Sequence, residues 1–359
     1  MTQDSGSLQS LLKALPKVDL HRHLEGSLRV RTLLEIAEAH AIALPARAID
    51  DLRPLATVDC DNLDFHRFLK KFELLRRFFP TREAVERAAH EAVRDARDDN
   101  IRYLELRFNP VALARVRCFP LEEVTCWVCD AVERAQRDCD IRTNLIIQIG
   151  RDQDLQTASE LGQIALAYRD RGIVGLDLAG DERRYPAAPF ASIFREARRE
   201  GLHVTVHAGE AGEPENIEEA IEWLEAERIG HGVRCVEDSR VTRLLQERRI
   251  PLEVCPTSNL QTGVVQHLER HPLPDLLALN LAVSVNTDNP SVSGTTLTNE
   301  YYVAVSSMGI TLDQVRQTVL TAAEVSFQSP EERKQLVDQL REDLKSDEPN
   351  EPAIDRRTE

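Results

Sequence analysis

The sequence predicts an α/β protein built as a (β/α)₈ barrel of the TIM type, with a helical insertion after the first strand. Three observations carry that prediction. Eight short runs rich in Val, Ile and Leu recur at 18–23, 101–108, 143–149, 173–178, 203–207, 228–230, 250–254 and 282–286. Most are continuously apolar rather than alternating, as parallel strands buried on both faces must be. Helical patterns separate them, among others at 83–97, 155–171, 190–200, 217–225 and 239–248; such βα alternation implies a parallel sheet covered by helices. Eight units suffice to close a barrel. An open doubly wound sheet is disfavoured, because Gly26 stands alone after the first strand where a dinucleotide site needs a glycine cluster.

The first two strands are separated by a long insertion, roughly 28–100. Phe65, Phe68, Phe72, Phe78 and Phe79, half of the ten phenylalanines, fall in one part of it together with Leu69. Two roles are open to them: a satellite core under the helices, or an apolar lid over a site at the strand ends. The chain lacks internal repeats and low-complexity linkers, so one barrel domain over 1–345 is expected. The charged tail 346–359, with Pro349 and Pro352, is expected to be disordered.

Composition narrows the function. With 45 basic and 61 acidic residues the formal net charge is -16. Such a chain is poorly suited to a nucleic-acid backbone or an anionic membrane, which select basic patches, but it can bind a neutral small molecule. No apolar run reaches the roughly 18 residues of a membrane span. Residues 1–10 are polar, and Lys13 and Lys17 break the next apolar stretch, so no secretory signal is expected. Seven cysteines, an odd number in a long chain, then point to a reducing cytoplasm. Cys126 and Cys129 form a C-x-x-C pair inside an expected helix at 120–139, without a second pair, and read as structural.

Chemistry concentrates where strands end. His21 and His23 close the first strand, and residues two apart on a strand share a face. His207 closes the fifth, in His-Val-Thr-Val-His-Ala-Gly-Glu, and Asp288 follows the eighth, in Val-Asn-Thr-Asp-Asn-Pro. The C-terminal strand ends of a barrel are where active sites form. Three histidines and a carboxylate suit Zn²⁺ or another divalent transition metal. Glu210 lies three residues beyond His207, and His231 ends the sixth strand. A carboxyl group and an imidazole outside the ligand set could shuttle protons around a water that the metal activates. The fourth strand carries no lysine to bridge two metals, so a mononuclear site is expected. Serine-hydrolase and phosphate-loop motifs are absent from the sequence.

Taken together, Leu20–Leu28 (LHRHLEGSL), Tyr103–Pro110 (YLELRFNP), Gly175–Glu182 (GLDLAGDE), His207–Glu210 (HAGE), Arg228–Arg234 (RIGHGVR), Cys255–Gly263 (CPTSNLQTG) and Asn286–Pro290 (NTDNP) resemble the adenosine deaminase family of the amidohydrolase superfamily. The resemblance runs from about Pro16 to Leu344. It implies one Zn²⁺ per chain held by His21, His23, His207 and Asp288. It further implies that Glu210 protonates purine N1 and that His231 orients and helps deprotonate the attacking water. On the same matching, the backbone of Gly180 faces N3, Asn289 faces N7, Glu25 meets a ribose hydroxyl, and Phe68 and Leu69 lie on a hydrophobic lid. The implied reaction is hydrolytic deamination of adenosine and 2′-deoxyadenosine to the inosines and ammonia. Two positions depart from the family pattern: Asn289 replaces a second Asp, and Glu25 replaces the Asp usual in nucleoside-specific members. Glu25 resembles adenine deaminases, whereas the RIGHG and CPTSN stretches resemble nucleoside-specific ones. The alternatives kept are another 6-aminopurine (adenine or 6-aminodeoxyfutalosine) and a non-catalytic nucleoside-binding barrel.

Overall fold

The computed structural model describes residues 5–46, 48–58 and 63–346. The expected disordered tail lies outside the described residues, Ser346 apart, as does Cys60. Eight strands form one sheet in sequence order: β1 (Lys17–His23), β2 (Ile101–Phe108), β3 (Arg142–Gly150), β4 (Ile173–Ala179), β5 (His203–Ala208), β6 (Arg228–His231), β7 (Leu252–Val254) and β8 (Val283–Val285). Every neighbouring pair is parallel, which requires the crossover helices that the amphipathic stretches supply.

The seam between β8 and β1 closes differently. Only the bridge Arg22↔Asp288 joins them. Asp288 donates its backbone N–H to the His21 carbonyl (2.8 Å), and His23 N–H donates to the Asp288 carbonyl (2.8 Å). Side chains finish the seam. Leu20 N–H donates to Asn286 Oδ1 (2.9 Å). The buried Asp19 carboxylate accepts from Thr287 Oγ1 (2.6 Å) and from the Arg22 guanidinium (3.0 Å). β8 ends at Val285, short of the expected 286, although Asn286 N–H still donates to the Val254 carbonyl (2.8 Å). β7 likewise starts at Leu252 rather than 250. The closure matters for the site, since Asp288 sits on it in the left-handed region (φ 58°), a conformation that Asp tolerates better than most residues.

Helix ends follow local chemistry. The helix Arg82–Asp98 starts at Thr81, whose hydroxyl accepts from Ala84 N–H, and Leu155–Ala167 starts at Asp154, which accepts from Thr157 N–H (2.8 Å). The expected helix 155–171 stops earlier: a single 3-10 turn, Arg169–Arg171, and left-handed Gly172 (φ 92°) end it before β4. The C-x-x-C pair lies in the helix Leu121–Cys139, where both thiols are free. Burial pushes the Cys129 thiol up to about 12, so it stays a neutral packing group. Among the described residues no helix is long and apolar enough to cross a membrane.

The insertion folds into the helices Val30–Ala39, Ile49–Ala56 and Phe65–Leu75 ahead of the barrel helix Arg82–Asp98. Of its phenylalanines, Phe68 belongs to the main core and Phe72 packs against it. Phe78 and Phe79 are fully buried in the main core. Phe65 and Phe68 are buried on the helix that packs against the turn Glu25–Ser27, and Leu69 is exposed.

The short helix Pro256–Gln261 after β7 is held at its start by Glu300, whose Oε2 accepts from Thr257 N–H (2.9 Å) while Oε1 accepts from Thr295 Oγ1 (2.5 Å). Burial pushes the Glu300 carboxyl up to about 7, above the ordinary carboxyl range. Since the folded value is the higher one, its stabilising contribution is complete below about 4.5 and is lost as pH rises through about 7. Glu300→Gln should therefore flatten the fall in Tm between about pH 5 and pH 8; parallel thermal melts of both proteins across that range check it, and identical slopes would exclude the assignment.

Candidate metal centre and active site

His21 and His23, on alternate residues of β1, project into the barrel beside His207 of β5 and Asp288 of the closing seam. His23 Nε2 lies 3.3 Å from the Nε2 atoms of both His21 and His207 and 3.2 Å from Asp288 Oδ1. His21 Nε2 is 3.5 Å from the same oxygen. All four side chains are buried.

The other ring nitrogens settle what these four groups present to one another. His21 Nδ1 is 2.8 Å from Glu253 Oε2, His207 Nδ1 is 2.9 Å from Asp177 Oδ1, and His23 Nδ1 is 2.7 Å from Gln148 Oε1. Each partner is an acceptor, so each Nδ1 carries hydrogen and each Nε2 turns a lone pair inward. Three lone pairs and a carboxylate converging at this spacing repel unless a cation lies among them. Tetrahedral zinc with Zn–N of about 2.0–2.1 Å sets its ligand atoms about 3.3–3.4 Å apart, which the observed separations match.

Charge tells the same story. Inside the barrel, Arg107 pairs with Asp177 (3.1 Å) and Glu253 (2.8 Å), and Arg228 pairs with Glu253 (2.6 Å) and with Glu105. Counting Asp288, two guanidiniums face four carboxylates, a deficit of two positive charges that one divalent ion would balance. His207 and Arg107 hold Asp177 low against burial, and Arg107 and Arg228 do the same for Glu253. Burial pushes His207 down to about 4, keeping its imidazole uncharged near pH 7. The residues therefore fit a divalent metal.

Glu210 and His231 border this centre. His231 Nε2 lies 3.7 Å from Glu210 Oε2, and its Nδ1 lies 3.1 Å from Asn259 Nδ2. The backbone of His231 is left-handed (φ 61°), which swings the ring off the end of β6 towards the metal ligands; its nitrogen comes within 4.8 Å of ligand atoms of His21, His207 and Asp288. Burial pushes His231 well down, and burial with Asp288 and Glu182 nearby pushes Glu210 well up, which favours the uncharged form of each. Glu182 fixes the turn bearing Glu210: its carboxylate accepts from the N–H groups of Gly209 (2.9 Å), Glu210 (2.9 Å) and Gly212 (2.7 Å). A Cβ on Gly212 would come within 2.7 Å of that carboxylate.

Of the remaining expected residues, Glu25, Gly180 and Asn289 follow β1, β4 and β8, and Phe68 and Leu69 lie on the helix Phe65–Leu75. Glu25 Oε1 accepts from Asn109 N–H (2.7 Å). Gly180 has φ 117°, a conformation reserved for glycine. Asn289 Nδ2 donates to Asp288 Oδ1 (2.6 Å), and its Oδ1 lies so close to Gly26 that a Cβ there would sit 2.0 Å away. A cavity of about 340 Å³ is lined by Phe65, His66, Asp181, Arg183, Arg184 and Thr262 among others, and by none of the expected site residues. Arg183 stacks over the Phe65 ring at 5.5 Å. Phe68 packs against Phe72 behind it (5.9 Å between centroids), while Leu69 faces outward.

A parallel barrel with a histidine–aspartate centre at its strand ends, and an acid and an imidazole beside it, defines a metal-dependent amidohydrolase. The comparisons with known proteins narrow this further: the family profile described as adenosine deaminase matches residues 16–343, and the chain belongs to that family. It is 39% identical over 327 residues to the adenosine deaminase of Klebsiella pneumoniae (strain 342), covering 91% of this chain and 98% of that one. Against the adenosine deaminase of Pectobacterium atrosepticum it is 40% identical over 322 residues, covering 90% and 95%. Among solved structures it is similar to adenine deaminase from Arthrobacter aurescens (TM-score 0.85, 30% identity, 92% and 99% covered). It is also similar to a zinc-bound amidohydrolase from Burkholderia ambifaria (0.84, 25%, 97% and 97%) and to the Arabidopsis N6-mAMP deaminase (0.82, 28%, 93% and 99%).

Sequence reasoning missed the supporting residues: Gln148, Asp177, Glu253, Arg107, Arg228, Glu182, Asn259 and His271. A signal existed for some of them. Arg107, Asp177 and Glu253 are charges inside runs otherwise read as strands buried on both faces, and buried charges need partners. Gln148→Ala should leave the fold intact and weaken metal binding by about 10–100-fold, the usual loss when a ligand histidine loses its outer hydrogen bond; competition against a chelator reads it.

Proposed function

We propose that the protein hydrolyses adenosine and 2′-deoxyadenosine to inosine and 2′-deoxyinosine with release of ammonia, using one Zn²⁺ per chain, in the cytoplasm. The observation that carries this reading is the buried Glu210 carboxyl beside three inward-facing imidazole lone pairs and Asp288 around one point. The curated relatives named adenosine deaminase, at 39–40% identity over nine-tenths of the chain, support the substrate.

His21, His23, His207 and Asp288 would hold the ion. When bound, it supplies a nucleophile at neutral pH by lowering the pKa of water to about 7. The chain's own residues do the rest. Glu210 gives its proton to purine N1, which makes C6 electrophilic. The backbone of Gly180 fixes N3, and one hydrogen of the Asn289 amide is spent on Asp288, leaving the second for N7. Glu25 takes a ribose hydroxyl on the carboxylate oxygen not used by Asn109. Phe65 and Phe68 cover the opening and exclude water, which strengthens each polar contact inside.

A second reading, deamination of free adenine, is favoured by Glu25 and by the likeness to adenine deaminase. The two readings separate in a spectrophotometric assay with adenosine, 2′-deoxyadenosine, adenine and 6-aminodeoxyfutalosine. Turnover of the two nucleosides, with kcat/KM on adenine lower by at least about 10²-fold, is the expected result; the reverse order would move the substrate to the base. Glu210→Gln should retain zinc, measured by metal analysis, and lose about 10²–10⁴ in kcat. Activity within tenfold of the parent would remove Glu210 from its assigned role.

A further inference from the structure

Two buried side chains behind His231, Asn259 and His271, form a directed hydrogen-bond chain. Its far end is a backbone amide, whose direction is unambiguous: Leu273 N–H donates to His271 Nδ1 (3.0 Å). His271 Nδ1 therefore holds a lone pair. Burial pushes this ring down to about 3, so it is neutral and its one proton sits on Nε2. That nitrogen lies 3.2 Å from Asn259 Oδ1 and must donate to it. The Asn259 amide is thereby fixed, with its NH₂ towards His231 Nδ1 at 3.1 Å. An amide NH₂ can only donate, so His231 Nδ1 is an acceptor and its proton lies on Nε2, the nitrogen facing Glu210 and the reacting centre.

We propose that Asn259 and His271 are positioning residues that lock His231 as an Nε2–H donor aimed at the oxygen attacking the purine, leaving Glu210 as the sole carrier of protons. This rests on the deaminase reading and changes one of its assignments: His231 holds the water's oxygen but does not take its proton. A proton arriving on Nε2 has nowhere to go, and a second proton on Nδ1 would face the Asn259 NH₂. The proton balance then closes through one carboxyl group. Glu210 protonates N1, breaking its O–H bond and forming N–H. As the water oxygen bonds to C6, the first water proton passes to the Glu210 carboxylate. Glu210 delivers it to the amino nitrogen, and ammonia leaves as the C6–N bond breaks. The remaining O–H proton returns to Glu210 as the 6-oxo group forms, restoring the acid. Glu210 Oε2 and His231 Nε2 lie 3.7 Å apart, near enough to border one oxygen.

The test is ¹⁵N NMR of the zinc-loaded enzyme labelled at histidine, with the His231 signals identified by their loss in His231→Gln. The expected spectrum at neutral pH has a protonated Nε2 and an unprotonated Nδ1; the opposite tautomer overturns the proposal whether or not the enzyme turns over adenosine. Asn259→Asp supplies the kinetic arm. Its carboxylate has the same shape but accepts from Nδ1, forcing the other tautomer while still accepting from His271. Expected are a tautomer change in the spectrum, unchanged zinc content and KM, and a kcat lower by about 10²–10⁴-fold, the scale of a wrongly protonated catalytic histidine. A kcat within threefold of the parent, with the tautomer changed, would show that the donor role is not needed.

Discussion

Everything at the mouth of this barrel depends on the Nδ1–H bonds of three imidazoles. His21, His23 and His207 each hand that hydrogen to a fixed acceptor, and only then do three Nε2 lone pairs face one point. The acceptors are fixed in turn by charge. Glu253 sits between Arg107 and Arg228, also accepts from Thr205 Oγ1 (2.9 Å), and Asp177 shares Arg107. Below them, Glu105 takes Tyr103 Oη–H (2.9 Å) and Phe327 N–H (2.6 Å), and the Phe327 ring covers the Arg228 guanidinium at 3.5 Å. The barrel interior is thus a stack: ligands at the top, charged acceptors in the middle, an aromatic plug at the base. Removing one member of such a buried pair leaves its partner uncompensated, at about 3–5 kcal/mol.

That stack explains why the barrel closes as it does. β8 and β1 share a single bridge, yet this seam carries His21, His23 and Asp288. A longer ladder would hold residue 288 in an extended conformation. Ending β8 at Val285 and bonding through Asn286, Thr287 and Asp19 lets Asp288 turn left-handed, with its carboxylate towards the histidines. His231 uses the same device at the end of β6. Of the nine left-handed non-glycine residues among the described residues, these two aim a side chain into the site, where backbone strain is commonly stored.

The acid and the imidazole are separated from the ligands by different means. Glu182 gathers three backbone N–H groups of the turn bearing Glu210, holding that carboxyl beside the centre. Asn259 and His271 approach His231 from the opposite side, on the segment between β7 and β8. Loops after four different strands therefore build one site, as expected where chemistry is placed at the strand ends of a barrel.

The sequence alone determined a good deal. Continuous apolar runs and helical periodicity located eight strands, because period and burial are local properties. Histidines two apart at a strand end share a face by geometry, so His21 and His23 were legible as a pair, and His207, Glu210, His231 and Asp288 were legible from their places beside strand ends. What tertiary structure decided is which long-range partner each side chain meets. Glu253 lies 232 residues from His21 and 146 from Arg107, and nothing local links them. The packing of the insertion's phenylalanines into the core, the shortening of β7 and β8, and the direction of the Asn259 amide all follow from such contacts. Local periodicity fixes what an element is; hydrogen-bond direction and charge balance across the barrel fix what its side chains can do.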